Sequence, residues 1–207
     1  AYRLHSLFKR FELNAHPSYF AGMASDLLSS LLKANKRSEL IQLAVAGFLS
    51  FVVASDTDDV VLTRTTREAF LRELVFEMRV NLRQFDRSDL ISFIGDFSER
   101  KDYDIDPIKF VDAFQDRGII DFVNGKARIT LPFIESYLLA SELIVQTEAA
   151  KHYFDPENDG FDQNAFEIYA ELGADKVVIE KILAALSRHA TDLKNGKNES
   201  HILLTNE

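Results

Sequence analysis

The loop Asp155-Pro156-Glu157-Asn158-Asp159-Gly160 sets three carboxylates at alternate positions ahead of a glycine. That is how an EF-hand calcium loop begins, with oxygen ligands at its first, third and fifth places. The twelfth place must supply a bidentate carboxylate, and here it is Phe166, with Glu167 one residue late. Asp162 also stands where an apolar residue packs in such loops. A solvated connection between helices is therefore expected, without calcium. His5, His16, His152, His189 and His201 are scattered, none at zinc spacing, and no Cys is present to complete a site. His16, just before Pro17, reads as a loop-packing residue. The sequence contains no G-x-x-x-x-G-K-[ST] loop, no G-x-G-x-x-G and no G-x-S-x-G elbow. Acid pairs such as Asp58-Asp59 and Glu157-Asp159 fall in turns that water solvates, whereas acid–base chemistry needs a cleft that shifts a pKa. The expectation is a chain with no catalytic residues and no metal.

Composition narrows the classes further. Of 207 residues, 46% are apolar and 28% charged, which is ordinary globular usage. A chain of this length buries roughly 70% of its unfolded surface and needs no staples. With 24 Lys+Arg against 33 Asp+Glu the net charge is −9, which disfavours nucleic acid as a partner. No apolar run reaches the roughly 18 residues of a membrane span, and the N-terminus lacks the order of a signal peptide. The reading is soluble and cytoplasmic, with no membrane partner. The chain opens on Ala rather than Met, as expected of a processed chain or a piece of a longer one.

Four prolines and eight glycines leave room for long helices. Leu27, Leu28, Leu31 and Leu32 form one helical pattern, with Pro17 and Ser18 suited to its start. Ile41, Val45, Phe48, Leu49 and Val52 form a second, and the polar turn Lys33 to Arg37 pairs the two as an antiparallel hairpin. Leu40 to Ala54 is apolar almost all round. About 15 helical residues rise roughly 22 Å, short of a ~30 Å hydrocarbon core, so a fully buried central helix is expected there. Ser55 to Asp59 reads as a surface turn and a boundary.

Beyond it, Thr66 opens a helix carrying Phe70, Leu71, Leu74, Val75, Met78 and Leu82. Asp86 or Ser88 caps a second, and Asp104 or Asp106 a third that has Pro107 in its first turn and Gly118 beyond its end. Periodicity then changes over Ile119 to Leu131, where Asn124-Gly125 is a two-residue hairpin signal. Pro132 opens another helix, and two more follow the polar loop, around Phe166 to Leu172 and Asp175 to His189. Lys194 to Ser200 is expected to fray. No internal repeat is visible. The fold class is mainly α: a helical bundle over 1–60, a winged-helix-like unit with one β-hairpin over 61–150, and a C-terminal helical extension over 151–207. Phe48, Leu74, Phe93, Phe114 and Tyr137 are expected in the core.

A winged helix invites a DNA reading, since the third helix of such folds can enter a major groove. Here that helix offers Lys109 and Arg117 against Asp106, Asp112 and Asp116, and the wing adds only Lys126 and Arg128. Its tip repels phosphate, so protein packing is the stronger reading.

Asn14-Ala15-His16-Pro17-Ser18-Tyr19-Phe20, the bundle-then-wing order, and the segment from Gly118 to Ala140 together resemble the helical and winged-helix arm of a STAND-type (NACHT-like) P-loop NTPase. The resemblance spans residues 17–143. It implies that Pro17 packs near the nucleotide base. Tyr137 and Ala140 match the family's "Glu-Tyr-Leu-Ala-Ala" segment. The family's phosphate-touching histidine falls on Leu131, and its glutamate on Ser136, with Glu135 one place off. Walker segments would lie upstream of residue 1, so ATP or ADP is implied only with that upstream domain, and this chain does not hydrolyse it alone. The implied function is a regulatory arm that couples nucleotide state to conformational change and homo-oligomerisation, as in prokaryotic members acting against phage. The competing class is a free-standing helical adaptor or immunity-type module without nucleotide.

Overall fold

Helical periodicity and a single Asn-Gly signal resolve into ten helices and one hairpin among the described residues of a computed structural model, which are 2–11, 13, 25–55, 63–158 and 160–194. The N-terminal part holds α1 (Tyr2–Arg10), α2 (Ser25–Leu31) and α3 (Arg37–Ser55). Then come α4 (Arg64–Arg79), α5 (Arg87–Lys101), α6 (Pro107–Asp116), β1 (Ile120–Val123), β2 (Lys126–Ile129) and α7 (Pro132–Val145). The chain continues through α8 (Thr147–Tyr153), α9 (Gln163–Leu172) and α10 (Lys176–Lys194). The fold is mainly α with one antiparallel hairpin, as the periodicity predicts. Among the described residues no helix is long and apolar enough to cross a membrane.

Local chemistry fixes the boundaries. Thr63, not Thr66, caps α4: its Oγ1 accepts from the Thr66 amide at 3.2 Å, which puts Thr66 inside the first turn. Asp86 caps α5 in a reciprocal box with Asp89. Asp106 caps α6 by accepting from the Ile108 and Lys109 amides, with Pro107 next in line. Gly118 at φ 63 ends α6, and the Ile119 amide donates back to the Phe114 carbonyl at 2.9 Å. Asn124 at φ 51 and Gly125 at φ 76 make the two-residue turn that pairs Val123 with Lys126. The Ala127 amide, facing away from β1, donates to the Phe85 carbonyl at 2.7 Å. The segment between α4 and α5 thus lies along β2 in the place of a third strand. The order is helix, edge segment, two helices and a hairpin, a winged-helix-like unit.

Phe70 on α4 centres the winged unit. Phe93 and Phe97 from α5 and Phe110 and Phe114 from α6 lie with ring centroids 5.1 to 5.9 Å from it, mostly tilted or edge-on. Phe48, Leu74, Phe93, Phe114 and Tyr137 are all buried, as expected. The core runs unbroken from Phe8 to Ile182 and takes in residues from all three expected segments.

Three details differ from the reading of spacing. The helix enclosed on most sides is α7, which packs against α3, α4, α8, α9 and β2, whereas α3 keeps an exposed line at Glu39, Gln42 and Ser50. Helix α8 follows α7 directly, because its short stretch carries too few apolar residues to show a period. Leu82 does not continue α4. It lies beyond the helix at φ 54 and is 80% exposed, while the Arg83 amide turns back to the Glu77 carbonyl at 3.0 Å. Residues 195–207 lie outside the described residues, as does the expected turn from Ser55 to Asp59 beyond Ser55 itself.

Two substitutions test this packing by chemical denaturation. Phe70→Ala is expected to lose about 3–5 kcal/mol, because four rings cannot close over the void. Leu82→Gly is expected to gain up to about 1 kcal/mol, since left-handed backbone costs an L-residue roughly 1–2 kcal/mol and glycine gives back part of that in chain entropy.

Candidate functional site

The residues singled out by sequence do not converge. Pro17, the expected nucleotide-contacting residue, lies outside the described residues, as do His16, Asp58, Asp59 and Asp159. Leu131 precedes α7 and is buried against a small void lined by Phe48, Gly118, Ile119, Ile129 and Ile134. That environment is hydrocarbon, so the Leu131 side chain contributes packing and no hydrogen bond. Tyr137 is buried, and that burial pushes its phenol up, with Glu68 adding to the effect. On the wing, Arg128 pairs with Asp121 at 3.1 Å. On α6, Asp112 and Gln115 both receive Arg87.

The acids of the calcium-like loop are dispersed among cations. Asp155 accepts from the Glu157 amide and pairs with Lys181 at 2.5 Å, and the Lys181 hydrogen bond holds its carboxyl below the usual range. Glu157 faces Arg188 at 3.5 Å, and Glu167 takes Arg37 at 2.5 Å. Among the described residues no three His, Asp or Glu side chains come together as a metal site.

What does converge is a junction that spacing alone leaves unmarked. Asp162 caps α9, with Oδ1 accepting from the Ala165 amide at 3.0 Å. Its Oδ2 accepts from Arg79 Nη2 at 3.1 Å and from the Tyr153 hydroxyl at 3.3 Å. Glu135 on α7 stands 3.9 Å from Arg79 Nη1. One guanidinium from α4 thus faces carboxylates from α7 and the start of α9, and Asp162 also holds the end of α8. Burial pushes the Glu135 carboxyl above its ordinary range; Arg79 opposes this and Asp162 adds to it. Burial likewise pushes the Tyr153 phenol up. Beside the junction opens a groove of about 630 Å³ lined by Met78, Arg79, Val80, Leu82, His152 and Tyr153. It offers a hydroxyl, an imidazole and an apolar wall, the features of a binding surface.

A second groove, of about 560 Å³, lies where α4, α5 and α7 meet. Its charges answer one another. Glu73 receives Arg100 at 2.9 Å and Lys101 at 3.5 Å, and Glu77 receives Arg83 at 3.0 Å. Glu142, almost buried, receives Arg72 at 2.9 Å and the Gln146 amide at 2.9 Å. Arg83 also lies over the Phe85 and Phe93 rings, at 4.7 and 5.7 Å.

A faint signal for the α4–α7 pairing does exist in the sequence. Arg72 and Arg79 lie seven residues apart, as do Glu135 and Glu142. On antiparallel helices that spacing matches Arg72 with Glu142 and Arg79 with Glu135, as found. No family model, no curated protein and no solved structure matches this chain.

The raised Glu135 pKa gives a signed prediction. A carboxyl whose folded pKa exceeds its unfolded value contributes stability at low pH, and this is lost as pH rises through the folded pKa. Glu135→Gln should therefore raise the melting temperature at neutral pH, with the gain fading towards about pH 4, where the unfolded carboxyl is itself protonated. Asp162→Ala should instead cost about 1–2 kcal/mol through the lost cap.

Proposed function

We propose that this chain is a non-catalytic regulatory and interaction arm of a STAND-type NTPase. ATP or ADP bound in an upstream P-loop domain would set its position, and it would pass that state on through conformational change and self-assembly. The observation that carries this reading is the way α7 joins the winged unit to its neighbours. It packs on α4 and β2 of the wing, on α3 of the N-terminal hairpin and on α9 of the extension. A push at either end is thereby transmitted as rigid-body motion rather than absorbed between loosely tethered parts. Net charge −9 and an acidic α6 favour protein over nucleic acid as the partner. Under this reading the chain hydrolyses nothing by itself, works in the cytoplasm, and serves defence against phage.

One observation favours the second reading, a free-standing helical adaptor or immunity-type module without nucleotide. Leu131, at the position of the family's phosphate-touching histidine, is packed in hydrocarbon. Nucleotide sensing would have to run through other groups.

Titration of the full-length protein with ATP and ADP separates the two. Pro17→Ala should weaken nucleotide binding modestly while leaving the melting temperature in place, because it removes a rigid wall beside the base. Tyr137→Ala should lower the melting temperature through the lost core ring. Unchanged affinity in Pro17→Ala, in a protein that binds ATP, would remove residue 17 from the site. A full reading frame without a P-loop would leave only the adaptor.

A further inference from the structure

Among the described helices α1 alone carries no Asp or Glu, in a chain that has 33 of them. Its exposed face presents Arg3, Lys9 and Arg10. Among the described residues none of the three takes part in an ion pair, although Arg72, Arg79, Arg83 and Arg100 each meet a carboxylate. Arg10 rests over its own neighbour Phe11, at 5.1 Å from the ring centroid. The helix dipole accounts for Lys9 and Arg10 in the last turn but is opposed by Arg3 in the first. The opposite face is already committed, with Phe8 buried edge-on against Phe133 at 6.2 Å. A net charge of −9 would repel an anionic bilayer, as it would nucleic acid.

An acidic counterpart exists on this same chain. The turn between α5 and α6 exposes Asp102 and Asp104 on either side of the partly exposed Tyr103. Among the described residues neither aspartate has an ion pair, the neighbouring Arg100 and Lys101 both being drawn to Glu73. Ile108, 55% exposed at the start of α6, adds an apolar contact beside them. We propose that the basic face of α1 binds the α5–α6 turn of a second copy of this chain. The two surfaces are different, so the contact is head-to-tail and propagates into chains or closes into a ring. It rests on charge distribution and not on the regulatory-arm reading, and is tested without nucleotide.

The test is sedimentation velocity of the 207-residue chain across protein concentration at low and high salt. The expected result is a mean mass above that of one chain at low salt, falling to one chain at high salt as screening removes the attraction. Reversing α1 (Arg3→Glu, Lys9→Glu, Arg10→Glu) or the turn (Asp102→Lys, Asp104→Lys) should each give a monomer that keeps its helical circular-dichroism spectrum and a cooperative melt. Mixing the two variants should restore salt-sensitive assembly with the copies alternating, since the two intact surfaces attract each other and so do the two reversed ones. Both reversals in one chain should restore salt-sensitive assembly. A wild-type chain that stays monomeric at low salt overturns the proposal, as does assembly that survives either reversal. So does a monomer that binds phosphatidylserine vesicles or duplex DNA through α1.

Discussion

Helix α7 has apolar side chains on nearly every side, and a helix of that kind must be enclosed. The rest of the fold answers this requirement. The antiparallel α4 lies along one side, the long α3 and the short α9 cover others, and β2 closes a further one. Glu142 is the polar exception on its buried surface. It is tolerated because Arg72 and Gln146 supply hydrogen bonds to both of its oxygens. The Arg72 guanidinium in turn reaches the Ser141 carbonyl at 3.1 Å, which fixes the sliding register of α4 on α7. With that register set, Arg79 falls opposite Glu135 one heptad further on, and Asp162 is held where α9 must begin.

Two aromatic clusters sit on either side of this arrangement. Phe70 gathers the rings of α5 and α6 under the wing, and the fully buried Phe154 gathers Tyr153, Phe161, Phe166 and Tyr169 under the C-terminal helices. Rings suit both places because each buries a large area with few rotatable bonds, so few residues are needed to seal each end. Polar ties then join the N-terminal hairpin to α9. Arg37 reaches Glu167 and Asn164, and the Ser38 amide at the start of α3 donates to Glu171 at 2.9 Å. A carboxylate remote in sequence thus caps the N-terminus of α3.

These features describe a chain whose chemistry is spent on holding helices together. Many of its cations are matched to acids, and the groove between α4, α5 and α7 is lined largely by groups ion-paired to one another. Among the described residues, the basic face of α1 and Asp102 and Asp104 of the α5–α6 turn are two surfaces whose charges have no ion pair.

Helix positions, capping aspartates and the hairpin were legible from sequence because each depends on neighbours within a few residues. Asp86, Asp106 and Pro107, Gly118 and Asn124-Gly125 act over one turn of chain, and the pleat of β1 and β2 follows from that turn. The winged-helix order was legible for the same reason, as a succession of local signals. The end of α4 was misread because Leu82 satisfies the apolar period while its backbone has already left the helix. Burial of Leu131, the Arg79–Asp162–Glu135–Tyr153 junction and the prominence of α7 over α3 were decided only in three dimensions. Each depends on which helices lie side by side and in what register, and apolar periodicity says which face is buried without saying against what. The charges carry the same division. Their number and sign are properties of the sequence, but which remain unpaired is set by the packing that matches Arg72 to Glu142 and leaves Arg3, Lys9 and Arg10 facing outward.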